Sequence, residues 1–426
     1  MDVKPGYKMT EVGVIPEDWE VVELEQLVEP SRSIRYGIVQ PGGYDRSGCL
    51  MVRSQDYSRG WVDEANMHRV GREIERQYNN AKVKRSDLIL TIVGAGIGQV
   101  AEVPCWLSGA VLSRSTGRIS LSRDVCSSGY GKACLQSGFA KKQILDAQKE
   151  GAQPVISCKD LSRLKLPYPS LQEQEAIATA LSDVDALIES LEQLIVKKRN
   201  IKQGAMQELL TGKRRLPGFS GEWEVKRLGD LGRCHRGVSY NPIADLSIFD
   251  KSSTIRLLRS NNVQEAKVIF LDMQYVDSKR VSSDQILRTK DVLICMANGS
   301  RDLVGKAGQF LNSDGLKYTF GAFMACFRPD VSITDSDFVF NLFQTSKYRD
   351  HISIILAGSS INNLKPSSVE DFQVFIPTSK DEQTAIGSAL SDMDTEITAL
   401  DAKLSKFIQH KRGMMQELLT GRIRLV

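Results

Sequence analysis

Glu173 to Gly212 reads EQEAIATALSDVDALIESLEQLIVKKRNIKQGAMQELLTG, and Glu382 to Gly421 reads EQTAIGSALSDMDTEITALDAKLSKFIQHKRGMMQELLTG. An offset of 209 residues aligns the two stretches without a gap, and 21 of the 40 aligned positions are identical. Self-similarity at a fixed offset indicates an internal repeat. The duplication therefore decides the plan of the whole chain.

Each copy predicts a long helix with a narrow apolar seam. Apolar residues recur at steps of four and three, a period of about 3.5 residues that is typical of paired helices. A lone amphipathic helix is marginally stable in water, so we expect the two copies to pack on each other. Two unrelated surface helices are the alternative, but they leave the duplication unexplained. The predicted seam comprises Ile177, Leu181, Val184, Ile188, Leu191 and Ile195 in the first copy and Ile386, Leu390, Met393, Ile397, Leu400, Leu404 and Phe407 in the second.

Composition places the chain among soluble globular proteins. Its 426 residues predict two or more domains, and 41% hydrophobic and 25% charged residues are ordinary values for that class. No apolar run is long enough to span a membrane, and the N-terminus lacks the apolar core of a signal peptide. Eight scattered cysteines without a CxxC pair, and four histidines, argue against a zinc site and favour a reducing cytoplasm. The net charge of +4 permits a nucleic-acid partner without requiring one.

The segments before the two helices repeat each other more loosely than the helices do. Short β-like runs broken by glycine predict a mostly β domain in each. The matched stretches are DWEVVELEQL at Asp18 with EWEVKRLGDL at Glu222, RSQD at Arg53 with RSNN at Arg259, SDLILTIVGA at Ser86 with KDVLICMANG at Lys290, and the strand ending at Pro167 with the strand ending at Pro377. The predicted order is a domain over 1–170, a helix over 171–211, a linker over 212–222, a domain over 223–380 and a helix over 381–421.

This order predicts an α+β fold with a pseudo-two-fold internal repeat, in which two long helices form an antiparallel coiled coil between two mostly β domains. An antiparallel return needs only the short linker, and it would put the domains at opposite ends of the bundle. A parallel pairing is the alternative, and it requires the second domain to span the length of the helix. The ending GRIRLV matches the linker start GKRRLP, so we expect the C-terminus to lie near the N-terminus.

The sequence offers no convincing catalytic, cofactor-binding or metal-binding residues. VGAGIG at Val93 to Gly98 resembles a nucleotide or S-adenosylmethionine loop, but the residues that follow read as a strand rather than a helix, which favours a β-turn. Asn241-Pro242-Ile243-Ala244 resembles an amino-methyltransferase motif but lacks its second proline and its aromatic residue. No P-loop lysine motif or catalytic-triad spacing is present. A methyltransferase–nuclease fusion and a coiled-coil adaptor without a DNA role nevertheless stay open at this point.

Polar and basic residues at matching points of the two domains make DNA the favoured partner. Arginine, asparagine and glutamine read guanine and adenine edges, and further cations hold phosphates, although any single residue of this kind can be an ordinary surface charge. The candidate base-reading residues are Arg53, Ser54, Gln55 and Arg59 in the first domain and Arg256, Arg259, Asn261 and Asn262 in the second. The candidate phosphate contacts are Lys82, Lys84, Arg85, Arg114, Lys142, Arg280, Arg288, Lys290, Arg301 and Lys317.

The chain resembles the specificity subunit of type I restriction–modification systems across essentially its full length. The resemblance rests on the TEVGVIPEDWE opening, the glycine-bearing strands after Asp87 and Asp291, the strand-then-proline endings, the EQ..I...L...D helix starts and the QELLTG endings. It implies two target-recognition domains that each read half of a bipartite double-stranded DNA site, with the helices as a spacer. It also implies that the helices dock two methyltransferase subunits, which carry S-adenosylmethionine and make N6-methyladenine. Motor-nuclease subunits would join them, with ATP and Mg²⁺ bound in the partner subunits and no cofactor in this chain.

Five helical positions are candidates for partner docking. Lys198, Lys202 and Lys411 lie on the predicted seam, where an unpaired buried charge is costly, so we expect that section to be open to solvent or to a partner. Gly204 and Gly413 occupy equivalent positions, and each costs the helix about 1 kcal/mol. They are interpreted as places where another helix approaches closely, and a local kink is the alternative.

Overall fold

The computed structural model describes residues 4–148, 154–312, 314–358 and 362–425. The chain divides into two compact units: unit 1 comprises 1–192 and 402–426, and unit 2 comprises 193–401. Each unit therefore combines one globular part with portions of both long helices. Val426, the last residue of the GRIRLV ending, and the first three residues of the predicted domain over 1–170 lie outside the described residues.

Unit 1 is built from short strands and a few helices. Its strands are β1 (Tyr7–Thr10), β2 (Gly13–Pro16), β3 (Glu20–Glu23), β4 (Arg35–Tyr36), β5 (Cys49–Val52), β6 (His68–Val70), β7 (Leu88–Thr91), β8 (Val100–Glu102), β9 (Val111–Leu112), β10 (Thr116–Ile119) and β11 (Lys165–Tyr168). Its helices are α1 (Arg72–Gln77), α2 (Ser128–Gln136), α3 (Gly138–Asp146), α4 (Cys158–Ser162) and the first part of α5 (Leu171–Leu209).

The sheets of unit 1 are small and mostly antiparallel. Strands β4, β10, β7 and β8 form one sheet in that order, and β6, β5 and β9 form a second, in which β5 and β9 run parallel. Strand β11 pairs with β3, and β1 and β2 form an N-terminal hairpin. The central strand β7 is buried along its whole length. Its Leu88 and Leu90 share an apolar core with Trp19, Tyr130 and Ile177, so α5 packs on the globular part from its first turns.

Unit 2 repeats this plan with longer sheets. Its strands are β12 (Trp223–Arg227), β13 (Gly232–Arg236), β14 (Leu246–Ser247), β15 (Thr254–Leu258), β16 (Val263–Gln264), β17 (Lys267–Val268), β18 (Gln274–Asp277), β19 (Val292–Cys295), β20 (Ala307–Gln309), β21 (Tyr318–Phe320), β22 (Met324–Pro329) and β23 (Gln373–Pro377). Its helices are α6 (Ser336–Leu342), α7 (Ser346–Ala357), α8 (Pro366–Glu370) and the first part of α9 (Lys380–Leu418). The main sheet has the order β13, β22, β19, β20, β17, β16, and a second has the order β14, β18, β15, β21.

The loose repeat of the globular parts is confirmed by a shared turn before the central strand. Ser86 and Lys290 both adopt a left-handed backbone, with φ of 68° and 72°, a conformation that non-glycine residues rarely take. The next residue is a buried aspartate in each unit, Asp87 or Asp291. Asp87 accepts two hydrogen bonds from Arg32 at 2.8 Å, and Asp291 accepts 3.0 and 2.7 Å bonds from Arg328. The left-handed turn, its buried aspartate and an arginine–aspartate ion pair therefore occur in both units.

Both long helices carry, at their third residue, a buried glutamate that binds a tryptophan and an arginine. In unit 1, Glu173 accepts hydrogen bonds from Trp19 Nε1 at 3.1 Å and Arg424 Nη2 at 2.8 Å. In unit 2, Glu382 accepts from Trp223 Nε1 at 3.4 Å and Arg215 Nη2 at 2.6 Å. Both arginines lie 5.6 Å from the tryptophan ring centroid. Because each arginine follows the other long helix in sequence, this cluster ties the end of one helix to the start of the other.

The helices end slightly before their predicted ends, α5 at Leu209 rather than 211 and α9 at Leu418 rather than 421. Each stops just before a glycine in the left-handed region, Gly212 with φ of 70° and Gly421 with φ of 65°, which is the usual residue at such helix ends. Tyr7 Oη donates to the carbonyl oxygen of Gly421 at 3.0 Å. The described part of the C-terminal ending thus contacts the start of the chain, which confirms that expectation.

One predicted correspondence is wrong by two residues. The strand before α5 extends to Tyr168, past the predicted Pro167, and Pro169 is the equivalent of Pro377. Gln174 Nε2 donates to the carbonyl of Pro169 at 3.1 Å, as Gln383 Nε2 does to that of Pro377 at 3.0 Å. The error arose because two prolines lie two residues apart in PYP, and only strand pairing distinguishes them.

Candidate nucleic-acid interface

The RSQD and RSNN stretches form the same short turn after equivalent strands. The turn after β5 closes when Asp56 Oδ2 accepts from the Arg53 backbone N–H at 2.8 Å. The turn after β15 closes when Asn262 Oδ1 accepts from the Arg259 backbone N–H at 2.9 Å. Each turn thus presents its middle residues outward and keeps its last residue inward.

Asn262 is therefore wrong as a candidate base contact. It is 0% exposed, and its amide donates to the carbonyl oxygens of Ile269 at 3.0 Å and Leu271 at 2.8 Å. A side chain that caps three backbone groups inside the protein cannot reach a base edge. The exposed residues at the matching middle positions are Gln55 and Asn261.

The arginines that open the two turns are held by neighbouring carboxylates. Arg53 Nη2 contacts Asp56 Oδ1 at 2.8 Å. Arg259 Nη2 donates to the Asp272 carbonyl at 2.8 Å and approaches its carboxylate at 3.3 Å. Both guanidinium groups are only partly exposed, at about 30% of the side chain (29% and 30%). They are thus oriented by the protein, whereas Ser54 is half-buried and Arg59 is exposed.

Several of the candidate phosphate contacts are already ion-paired within their own unit. Lys82 binds Glu75 at 2.6 Å and Arg280 binds Asp245 at 3.0 Å, and Arg256, a candidate base-reading residue, likewise binds Asp250. Lys290 binds Asp337 at 2.7 Å, and this hydrogen bond raises the pKa of Lys290 above its ordinary value. Arg301 donates to the Ser353 carbonyl at 3.3 Å. These cations are partly neutralised, which weakens the argument that they hold phosphates.

A smaller set of candidate cations is exposed and makes no ion pair within the part of the chain that the structure describes. It comprises Arg59, Lys84, Arg85, Arg114 and Lys142 in unit 1 and Arg288 and Lys317 in unit 2. Lys84 and Arg288 occupy equivalent positions, because their backbone N–H groups donate to the buried Asp87 and Asp291 at 2.7 and 2.8 Å. The shared turn thus presents one cation at the same point of each unit.

The glycine-rich VGAGIG stretch joins two antiparallel strands. It connects β7 to β8, Gly94 and Gly98 have φ of 93° and 84°, and Gly98 N–H donates to the Thr91 carbonyl at 3.0 Å. A nucleotide loop would instead lead into a helix. The interpretation as a β-turn is confirmed.

The seam lysines are ion-paired, which corrects the expectation that their section is open. In unit 2, Lys202 of α5 binds Asp394 of α9 at 2.6 Å and Lys198 binds Glu396 at 2.6 Å. In unit 1, Lys411 of α9 binds Asp185 of α5 at 2.5 Å. Their side chains are 15%, 33% and 21% exposed. Acidic residues of this chain therefore form ion pairs with the lysines, although the apolar pattern did not predict these partners.

These bridges also give the direction of the helices inside unit 2. Residue numbers rise along α9 from Asp394 to Glu396 while their partners fall along α5 from Lys202 to Lys198. The two helix segments of unit 2 therefore run antiparallel. The fixed offset would have identified the acids, because Asp185 and Asp394 are 209 residues apart, as are Lys202 and Lys411.

The seam and the two helical glycines differ in burial. Ile177, Leu181, Leu191, Ile195, Ile386, Leu390 and Ile397 are buried, and Val184, Ile188, Met393, Leu400, Leu404 and Phe407 are half-buried. Gly204 and Gly413 are exposed, and a Cβ atom built on either glycine meets no heavy atom within 4 Å. The glycines therefore lie on an open face of each helix. No packing contact with the described residues requires a glycine at either position.

Two other kinds of site were sought within the described residues. No group of three or more histidine, cysteine, aspartate or glutamate side chains there could hold a metal ion. No helix in the same part of the chain is long and apolar enough to cross a membrane.

A family model described as the type I restriction modification DNA specificity domain matches residues 16–197 and 220–410. The specificity subunit of the type I restriction enzyme EcoKI from Escherichia coli strain K12 is 30% identical over 202 residues, which cover 47% of this chain and 42% of that protein. The EcoBI specificity subunit from Escherichia coli is 29% identical over 203 residues, with the same coverage of 47% and 42%. The chain therefore spans less than half the length of these two relatives.

Other similarities extend over nearly the whole chain. The putative MjaX specificity subunit from Methanocaldococcus jannaschii is 25% identical over an alignment of 449 positions, which covers 99% of this chain and 97% of that protein. The crystal structure of the S subunit of a type I restriction-modification system from M. genitalium superposes with a TM-score of 0.58 at 13% identity, covering 98% of both chains. A chain from a study of type I complex assembly superposes with a TM-score of 0.55 at 16% identity, covering 96% of this chain and 99% of that one. These structures share the fold.

Proposed function

Because this chain belongs to the type I restriction modification DNA specificity family, we propose that it reads a bipartite DNA target, one part with each unit. The observation that carries the proposal is that the family model matches twice, over 16–197 and 220–410. The equivalent turns that expose Gln55 and Asn261, and the equivalent cations Lys84 and Arg288, support it at the level of side chains. Amides can bond adenine edges, and cations can bond phosphates.

The chain acts in this proposal without catalysis of its own. Methyltransferase subunits that carry S-adenosylmethionine would dock on the long helices, and motor-nuclease subunits would join them with their own ATP and Mg²⁺. Mapping N6-methyladenine in DNA from cells with and without this gene tests the proposal. We expect a bipartite motif to be methylated only when the gene is present. Methylation or cleavage by the purified chain alone would favour a catalytic fusion instead.

The long helices would set the distance between the two parts of the target. Inserting four residues into each helix adds about 6 Å of rise, or roughly two base pairs. The methylated motif should keep both half-sites and gain a longer spacer. An unchanged spacer would reject the role of the helices as a ruler.

Docking of the methyltransferase is proposed for the open helix faces at Gly204 and Gly413. Leucine at both positions should weaken assembly with the methyltransferase subunit, because the side chains would fill the space that a partner helix needs. Alanine at both positions is the matched control. Each methyl group enters open space and should stabilise its helix by about 1 kcal/mol, while assembly is retained. Assembly that leucine leaves unchanged in size-exclusion chromatography would reject this docking site.

A further inference from the structure

The paired strands that precede the long helices are covered in unit 1 and bare in unit 2. Val21 pairs with Pro167 in unit 1, and Val225 pairs with Phe375 at the equivalent place in unit 2. Pro167 is buried and Val21 is half-buried, whereas Val225 is 65% and Phe375 is 44% exposed. The equivalent strand pairs thus differ in surface, because the pair in unit 2 exposes apolar side chains at positions that are buried or half-buried in unit 1.

The cover in unit 1 is the N-terminal hairpin of β1 and β2. It buries Val12 and Ile15, which are 6% and 0% exposed, in one core with Leu419. Its turn residue Glu11 forms an ion pair with Lys165 on β11. Tyr7 Oη donates to the Gly421 carbonyl at 3.0 Å. The hairpin therefore contacts β11 through Glu11, the apolar core through Val12 and Ile15, and the end of α9 through Tyr7.

The equivalent place in unit 2 is an open groove of about 420 Å³. Leu210 lies at the counterpart of Leu419, and Gln373 lies at the counterpart of Lys165. Val225 and Phe375 form its apolar wall, and Lys213 and Lys347 lie on its lining. None of the described residues that line it is acidic. The groove thus keeps the leucine that packs with the hairpin in unit 1, has a glutamine in place of the lysine that pairs with Glu11, and carries positive charge from Lys213 and Lys347.

We propose that this groove binds a β-hairpin or an extended strand of a partner polypeptide, one that presents two aliphatic side chains and at least one carboxylate. The aliphatic pair takes the place of Val12 and Ile15, and the carboxylate pairs with Lys213 or Lys347 as Glu11 pairs with Lys165 in unit 1. Gly204 and Gly413 do not line the groove, although Gln203 and Gln207 on either side of Gly204 do. The function of the groove does not depend on DNA recognition, so the two can fail independently.

The probe is a peptide of residues 4–18 of this chain, closed by a disulfide between cysteines that replace Met9 and Val14, which pair across the hairpin. We expect saturable one-to-one binding to the full chain in fluorescence anisotropy. A peptide that carries Val12→Asp and Ile15→Asp should not bind. Failure of the closed peptide to bind the folded chain would overturn the proposal.

Variants of the full chain locate the binding site. Val225→Asp with Phe375→Asp should weaken peptide binding about tenfold or more, since central apolar contacts dominate such interfaces. Val331→Asp is the matched control, because Val331 is also 65% exposed in unit 2 but does not line the groove. Equal weakening by the control, or none by the double variant, would overturn the proposal.

Two other occupants are outcomes of the same series. Sedimentation that shows self-association of the chain, lost in Val225→Asp, would assign the groove to a second copy and overturn the choice of a partner. Competition of random duplex DNA with the peptide, lost in Lys213→Ala with Lys347→Ala, would assign the groove to nucleic acid and also overturn it.

Discussion

Unit 1 and unit 2 share a framework and differ in what covers it. The left-handed turn with its buried aspartate, the glutamate that binds tryptophan and arginine, and the lysine–aspartate bridge all occur in both. The strand pair before each long helix is different, because a hairpin covers it in unit 1 and an open groove adjoins it in unit 2. The shared features all hold backbone or helix ends in place. The difference in cover buries Val12 and Ile15 in unit 1 and leaves Val225 exposed in unit 2.

The largest expected effect tests the part that the units share. Glu382→Ala should destabilise the chain by about 3–5 kcal/mol, because it leaves Arg215 without its buried partner. Glu173→Ala should cost less, because Arg424 keeps its ion pair with Asp18. Urea unfolding followed by tryptophan fluorescence measures this. Glu175→Ala, at an exposed position of α5, is the control and should change the midpoint little. Equal effects of the two substitutions would contradict the compensating role of Asp18.

The next largest effect tests whether the hairpin covers the strand pair in unit 1 while the equivalent pair in unit 2 is exposed. Ile15→Ala should cost about 2–4 kcal/mol, since Ile15 is fully buried beneath the hairpin and truncation leaves a cavity. Val225→Ala should cost less than about 0.5 kcal/mol, since that side chain is mostly exposed. Thermal unfolding of the isolated chain compares them. A large loss of stability in Val225→Ala would mean that the groove is closed in solution.

A smaller effect distinguishes the buried Asn262 from the exposed Asn261 in the turn after β15. Asn262→Ala should destabilise the chain by about 1–3 kcal/mol, because it leaves the Arg259 N–H and two carbonyl groups without their partner. Asn261→Ala should leave stability unchanged and weaken binding of the methylated target by about 1–3 kcal/mol. Urea unfolding and duplex competition measure the two quantities. Weaker target binding by Asn262→Ala at unchanged stability would contradict its structural role.

The smallest expected effect is the loss of stability of the N-terminal hairpin at acidic pH. The hydrogen bond from Lys165 lowers the pKa of Glu11, and the hydrogen bond from Arg424 lowers the pKa of Asp18. A carboxyl group with a lowered pKa in the folded state stabilises it above the unfolded pKa, and that contribution is lost as the pH falls through the folded pKa. Hydrogen exchange of Tyr7–Pro16, corrected for intrinsic rates, should therefore rise below about pH 4. Unchanged protection from pH 6 to pH 3 would contradict this.

The repeat predicted the framework because identical residues have identical partners. The α+β fold and the contact between the two chain ends follow from the duplicated helices and from GKRRLP and GRIRLV. The expectation for the seam lysines was wrong because a lysine at an apolar position of the pattern does not show which acidic residue forms an ion pair with it. Applying the same offset to Asp185 and Asp394 supplies that acid.

The candidate DNA residues were only partly predictable. RSQD and RSNN marked equivalent turns, but an asparagine that reads a base and one that caps a loop look the same in sequence. Burial separates Asn262 from Asn261, and burial depends on strands that meet only in the folded unit. The bare strand pair of unit 2 was not foreseen either, because its cover in unit 1 is a hairpin that has no counterpart among the described residues of unit 2.

The lysine–aspartate bridges between α5 and α9 have a consequence for solution conditions. At 1 M salt electrostatic attraction is screened beyond about 3 Å, whereas the paired atoms here lie 2.6 and 2.5 Å apart and the lysine side chains are only 15% and 21% exposed. The apolar cores of the globular parts do not depend on such attraction. High ionic strength should therefore leave both the globular parts and the paired helix segments in place, so a spacer built from these helices would hold its length across buffers.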